Sequence, residues 1–87
     1  TQNYPNPFNP STTISFSLPS ESNVVLSVYD ITGRLVLTLV DGGLSTGYHD
    51  VIWDGKDIYG SSVSAGLYIY TLQTEGVSLN RKMMLMK

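Results

Sequence analysis

Thr12-Thr13-Ile14-Ser15-Phe16-Ser17-Leu18 sets Ile14, Phe16 and Leu18 in alternation with Thr13, Ser15 and Ser17. Side chains of an extended chain point to opposite faces in turn, so this stretch predicts a β-strand with one dry and one wet face. Pro19 and Ser20 end it. No window of about eleven residues carries an apolar 3.6-residue repeat free of glycine or β-branched interruption, so the competing helical period is absent.

The same alternation recurs along the chain. Val24, Leu26 and Val28 oppose Val25, Ser27 and Tyr29, and Asp30-Ile31-Thr32-Gly33 then supplies a turn. Arg34–Val40 is apolar on both sides, which predicts a strand covered on both faces or one carrying a bulge. Asp41-Gly42-Gly43 and Ser45-Thr46-Gly47 punctuate the chain before Tyr48–Trp53, where His49, Val51 and Trp53 share a face. The three-glycine stretch from Asp54 to Gly66 reads as loop, with a short, seventh strand placed near Ser62–Ser64. In Leu67–Thr74, Tyr68, Tyr70 and Leu72 alternate with Leu67, Ile69 and Thr71; Glu75-Gly76 turns the chain into a last strand, Val77–Met86.

About seven short strands separated by frequent turns predict an all-β fold, an immunoglobulin-like antiparallel β-sandwich. With no cysteine there is no disulfide, so Trp53 and the tyrosines must supply packing that a bridged sandwich obtains partly from cystine. Residues 1–11 form a proline-rich lead-in and 12–87 the sandwich. Within the lead-in, Tyr4-Pro5-Asn6-Pro7-Phe8-Asn9-Pro10 sets three prolines and two asparagines among two aromatic rings. Proline fixes φ and pushes the preceding residue towards extended geometry, which predicts a stiff segment unable to pair as a central strand. Tyr4 or Phe8 is expected to pin it to the fold; the plainer alternative is a semi-rigid interdomain spacer.

Composition narrows function. The 87 residues suit one domain; 41% are hydrophobic and only 14% charged, leaving a surface of Ser, Thr, Asn and Gly. Net charge is −2 and the basic residues are Arg34, Lys56, Arg81, Lys82 and Lys87, too scattered to neutralise a phosphate backbone. Nucleic acid is therefore not an expected partner. The apolar runs Leu35–Val40 and Met83–Met86 fall far short of the roughly 20 residues that span a bilayer, so no transmembrane segment is expected. No basic n-region and apolar core open the chain, so an exported form would take its signal from further upstream.

Chemistry finds little footing. His49 is the sole histidine and Asp50 beside it falls on the opposite strand face, so no nucleophilic triad assembles. Asp54-Gly55-Lys56-Asp57-Ile58-Tyr59-Gly60 invites a calcium loop, but its third and fifth positions are Lys56 and Ile58, where oxygen ligands are required. An Asx turn capped by Asp54 is the expected alternative. No catalytic residue, metal or cofactor is predicted. Tyr48 and Tyr59 are left as candidates for a sugar-stacking platform, because Tyr68, Tyr70 and Trp53 alternate in phase with core residues.

Taken together, Tyr4-Pro5-Asn6-Pro7-Phe8, Val28-Tyr29-Asp30-Ile31-Thr32-Gly33-Arg34, Gly66-Leu67-Tyr68 and Lys82-Met83-Met84-Leu85-Met86-Lys87 resemble the C-terminal sorting domain of proteins exported by the type IX secretion system. The pattern overlaps the immunoglobulin-like domain of flagellar hook-capping proteins through Trp53-Asp54-Gly55 and the Gly60, Val63, Gly66, Tyr68 series. The resemblance implies a non-catalytic address on a larger exported protein of Gram-negative bacteria, reaching the cell surface or medium by way of the periplasm. Its implied partners are the outer-membrane translocon, a sortase-like protease and a covalently fused upstream cargo. On the matching positions, it implies sorting-signal recognition through Pro5, Asn6, Pro7, Gly33, Arg34, Gly66, Tyr68, Lys82 and Lys87. Lys82 and Lys87 also bracket Met83–Met86 as charges that blunt a sheet edge, an edge that a partner can read by strand addition. A carbohydrate-binding or adhesive accessory domain of a secreted hydrolase is the alternative.

Overall fold

The computed structural model describes residues 2–86. Six strands follow in order: β1 (Thr12–Leu18), β2 (Ser22–Asp30), β3 (Leu35–Leu44), β4 (Gly47–Trp53), β5 (Gly66–Gln73) and β6 (Ser78–Leu85). β1 and β4 form one antiparallel pair, and the other sheet has the order β3-β2-β5-β6. The β1–β4 register sets Phe16 opposite His49 and Thr12 opposite Trp53; β5 aligns Tyr68 with Asp30 of β2 and with Met83 of β6. The predicted alternation is realised: Ile14, Phe16 and Leu18, then Val24, Leu26 and Val28, then Tyr68, Tyr70 and Leu72 all lie in the core between the sheets.

Three local departures have physical causes. Among the described residues there are six strands rather than seven, because Ser62 makes only an isolated bridge to Lys56 and the 54–65 loop otherwise pairs with itself. β3 continues through Asp41-Gly42-Gly43 to Leu44, since β2 offers paired residues from Val25 back to Ser22 beside it. Of the two expectations for β3, the bulge holds: the β2–β3 register shifts at Leu26/Ser27 and at Val28/Tyr29. β3 is an edge strand, and Leu35 remains 51% exposed.

Residues 2–11 run along the open side of the sandwich and join both sheets. The Tyr4 amide donates to the Thr13 carbonyl and the Thr13 amide to the Tyr4 carbonyl, each at 2.9 Å, which ties the segment to β1. Further on, the Phe8 amide donates to the Met84 carbonyl and the Met86 amide to the Phe8 carbonyl, also at 2.9 Å, so Phe8 lies parallel to β6 beside Leu85. Phe8 is the pin, 2% exposed, whereas the Tyr4 ring stands in solvent and only its backbone is engaged. Beneath it, the buried Asn3 amide donates to Thr12 Oγ1 (2.9 Å), and Thr12 Oγ1 donates to the Pro5 carbonyl (2.8 Å). Polar groups in a dry interior need such partners.

Trp53, at the end of β4, links these layers. Its ring lies 5.5 Å from Phe8 and 5.3 Å from Tyr68, the latter edge-on at 70°, and Nε1 donates to the Lys56 carbonyl at 2.9 Å. Next to it, Gly55 has φ +76° and a Cβ there would sit 3.0 Å from the Pro10 carbonyl oxygen, so the loop passes the lead-in only as glycine. Replacing Trp53 with alanine is expected to lower unfolding free energy by about 3–5 kcal/mol through loss of the ring and the cavity left behind. Chemical denaturation checks this; a loss under about 1 kcal/mol would mean that the ring is not a core element.

Candidate functional site

The implied recognition residues gather at one end of the four-stranded sheet. β5 enters there through Gly66 and Tyr68, flanked by the Asp30 end of β2 on one side and by Met83–Leu85 of β6 on the other. Gly33 and Arg34 lie in the β2–β3 turn, and Arg34 and Tyr68 line one groove with Asp30. Across the sheet, Pro5, Asn6 and Pro7 stand exposed over the outer edge of β6, while Lys82 is exposed on β6 itself. Lys87 lies outside the described residues.

Hydrogen bonds make the lead-in and the β6 edge one surface. Besides the two backbone bonds at Phe8, the Met84 amide donates to Asn6 Oδ1 (2.9 Å), and Gln2 Nε2 donates to the Lys82 carbonyl (2.8 Å). An edge strand presents a row of unpaired amides and carbonyls, and here its C-terminal half is covered by the chain's own proline-rich segment. Proline suits the cover because it offers no amide to a further strand; the chain bends at residues 5–7 and 9–10 rather than running extended as the prolines predicted. Asn6 therefore acts as an edge cap as well as an exposed residue. Asn3 and Thr12, which hold the segment down, went unnoticed in the sequence; a small polar residue opposite the tryptophan position was their only signal.

The turn is set by Asp30. Its Oδ1 accepts from the Thr32 amide (2.9 Å), from Thr32 Oγ1 (2.6 Å) and from the Arg34 amide (3.1 Å), and Oδ2 lies 3.6 Å from Arg34 Nε. The Thr32 hydroxyl is the main cause that holds the Asp30 carboxyl below its ordinary 3.8; desolvation opposes it, and the Arg34 and Thr32 amides and the Arg34 charge add to the lowering. Burial, with Asp30's charge second, raises the Tyr68 phenol above its ordinary 10, so its hydroxyl stays protonated and donates to the Ser64 carbonyl at 2.6 Å.

The remaining candidates separate by position. His49 stacks on Phe16 at 5.5 Å, and its Nε2 lies 2.7 Å from the Ser45 carbonyl. Asp54 Oδ1 accepts from the Lys56 amide (3.2 Å), the Asx turn expected of it. Among the described residues, no three His, Cys, Asp or Glu are grouped to hold a metal ion, and no helix is long and apolar enough to cross a membrane. Tyr48 lies on β4, Tyr59 in the 54–65 loop; both are exposed, and only Tyr59 lines the groove.

Residues 4–77 match the FlgD Ig-like domain family. No curated protein matches the chain. Among solved structures, dimeric latent PorU from Porphyromonas gingivalis is similar over 97% of this chain and 9% of its own, with 27% identity and a TM-score of 0.75. PorZ of the same organism, described as an essential surface component of its type-IX secretion system, is similar in fold over 99% of this chain and 11% of its own, with 22% identity and a TM-score of 0.69. FlgD from P. aeruginosa is similar over 85% of this chain and 58% of its own, with 31% identity and a TM-score of 0.65. The chain thus spans about a tenth of the PorU and PorZ chains.

Two outcomes are expected of the site's geometry. Asn6→Ala removes the acceptor of the Met84 amide, and a hydrogen bond worth about 1 kcal/mol corresponds to roughly fivefold faster exchange there. Amide hydrogen exchange measures this, with the Leu72 amide as the unaffected control. For Asp30, a folded carboxyl below the unfolded value contributes stability that is present above about pH 3.8 and is lost as pH falls through the folded value. The stability difference between wild type and Asp30→Asn, followed by denaturation from pH 7 to pH 2, is expected to shrink below pH 3.8; a difference constant with pH would contradict the turn electrostatics.

Proposed function

This chain belongs to the FlgD Ig-like domain family, and we propose that within it the domain is a non-catalytic sorting module, directing a larger exported protein through the type IX secretion system to the cell surface or medium. The observation that carries this is the fusion of lead-in and last strand into one exposed surface. Two segments about eighty residues apart in sequence, both implicated by their motifs, are bonded through Asn6 to Met84 and Phe8 to Met84 and Met86. A translocon serving many cargos can use only features that all cargos share, and such an edge is part of the domain whatever precedes it. The main chain of β6 and its cover offer shape and hydrogen-bond register, while Lys82 and Arg34 offer charge at either side of the sheet end.

Similarity to PorU over 97% of this chain supports the assignment, as does the fold shared with PorZ, a surface component of that system. The outer-membrane translocon, the sortase-like protease and a fused upstream cargo are the proposed partners. A second reading, a structural domain of the flagellar cap type, draws support from the family match and from the 31% identity to FlgD.

Export of a reporter fused ahead of the domain, in a type IX-competent host, separates them. Arg34→Ala combined with Lys82→Ala alters exposed side chains only, and such changes shift stability by no more than about 0.5 kcal/mol each. The folded double variant is expected to leave most of the reporter in the periplasm, while Tyr59→Ala leaves export intact. Delivery of the unaltered fusion to the surface with no loss in the double variant would remove Arg34 and Lys82 from the signal. Failure of the unaltered fusion to be exported would favour the structural role.

A further inference from the structure

Two five-residue segments, Asp30-Ile31-Thr32-Gly33-Arg34 and Asp57-Ile58-Tyr59-Gly60-Ser61, close the same loop. In each, the aspartate Oδ1 accepts the amides two and four residues on: Thr32 and Arg34 in the first (2.9 and 3.1 Å), Tyr59 and Ser61 in the second (2.9 and 3.0 Å). In each, the glycine amide donates to the aspartate carbonyl at 3.0 Å, and the aspartate amide donates to the fifth residue's carbonyl. Gly33 and Gly60 have φ of +88° and +81°, the left-handed conformation that glycine adopts at no steric cost. The loops come from distant parts of the chain and together line an open groove of about 700 Å³ with Ser62, Ser64 and Tyr68, its lining completed by the aliphatic Leu35, Val36 and Val63.

What the groove displays is specific. Tyr59 is 89% exposed, so both ring faces are free, and its backbone is held by Asp57. Asp57 spends Oδ1 on its own loop, and among the described residues Oδ2 has no partner. The Arg34 side chain is 85% exposed and spans to Asp30 only at 3.6 Å, leaving its fork of donors accessible. Two carboxylates against one guanidinium disfavour a phosphate or other anion. A hard cation is disfavoured too, because both Oδ1 atoms already accept amide hydrogens. An array of fixed acceptors and donors beside an open aromatic face suits a ligand whose hydroxyls both donate and accept and whose ring presents C–H groups.

We propose that this groove binds a neutral saccharide, with Tyr59 stacking on a sugar ring and Asp57, Asp30 and Arg34 bonding its hydroxyls. The site uses the groove face rather than the β6 edge and overlaps the proposed sorting residues only at Arg34 and Tyr68; the loops are ordered before the ligand arrives, which limits the entropy lost on binding. Arg34 is shared between the two surfaces, so the test rests on Tyr59 and Asp57.

Affinity electrophoresis of the purified domain in native gels containing dextran, mannan or xylan, with cationic glycol chitosan in parallel, tests it. Retardation by at least one neutral polysaccharide is expected. Tyr59→Ala is expected to weaken it about three- to tenfold, as loss of a stacking ring does. Asp57→Asn keeps the loop's Oδ1 acceptor and removes the charge; an amide still bonds hydroxyls, so it is expected to weaken retardation less than Tyr59→Ala does. Tyr48→Ala is expected to leave it unchanged. No retardation by any neutral polysaccharide, or equal retardation of Tyr59→Ala, overturns the proposal. So does retardation by glycol chitosan alone that 0.5 M salt abolishes, which would assign the groove to cationic partners.

Discussion

The contact of Trp53 with Phe8 and Tyr68 is the constraint on which the rest of the domain depends. Trp53 comes from the two-stranded sheet, Tyr68 from the four-stranded sheet and Phe8 from the lead-in, so a single aromatic cluster fastens all three parts. In a sandwich with no disulfide, rings of this size are the means of fixing one sheet on the other, because each buries on the order of 150–250 Å² and packs with a preferred geometry. The indole N–H finds the Lys56 carbonyl, so the ring brings no unsatisfied polar group into the core. That same bond anchors the loop after β4 and with it the second of the paired aspartate turns.

The lead-in converts this packing into a surface. A six-strand sandwich with a two-stranded sheet has several open edges, and residues 2–8 close part of two of them by bonding to β1 on one side and β6 on the other. Phe8 gives the segment its hydrophobic anchor, Asn3 and Thr12 give it buried hydrogen bonds, and the prolines offer no amide to a further strand. The edge that would otherwise invite indiscriminate pairing becomes a defined relief in which Pro5, Asn6 and Pro7 are presented at fixed positions. Stability and recognition here have one physical origin, since the bonds that seal the edge are those that shape it.

At the other side of the same sheet end, the aspartate turns do for loops what the lead-in does for an edge. Each side chain replaces a missing strand partner for two backbone amides, so long stretches without secondary structure stay ordered at low cost in hydrophobic area. Ile31, Ile58 and Tyr59 can therefore stand in solvent without loosening the fold.

The sequence by itself determined the class of fold and most of the core. Alternation at Ile14, Phe16 and Leu18, at Val24, Leu26 and Val28, and at Tyr68, Tyr70 and Leu72 has a period that only a strand can bury, so these residues face inward wherever the strands end up. It also placed a turn at Asp30–Gly33 and a side-chain-capped turn at Asp54, because those bonds are local; that the Asp30 carboxylate caps its own turn was seen only in the structure. It did not determine which distant segments meet. The extension of β3 through Asp41-Gly42-Gly43 depends on the length of β2; the isolated bridge at Ser62 depends on Lys56. Phe8 looked like a pin, but that it lies parallel to β6 and meets Trp53, and that Asn6 caps Met84 across 78 residues of chain, follow from tertiary packing alone. Likewise the two Asp-Ile-x-Gly loops are visible as motifs, yet their shared groove exists only because β5 carries Tyr68 back beside Asp30. Periodicity and turn chemistry are written within a few residues, whereas the pairing of edges is decided by which surfaces the folded sheets leave open.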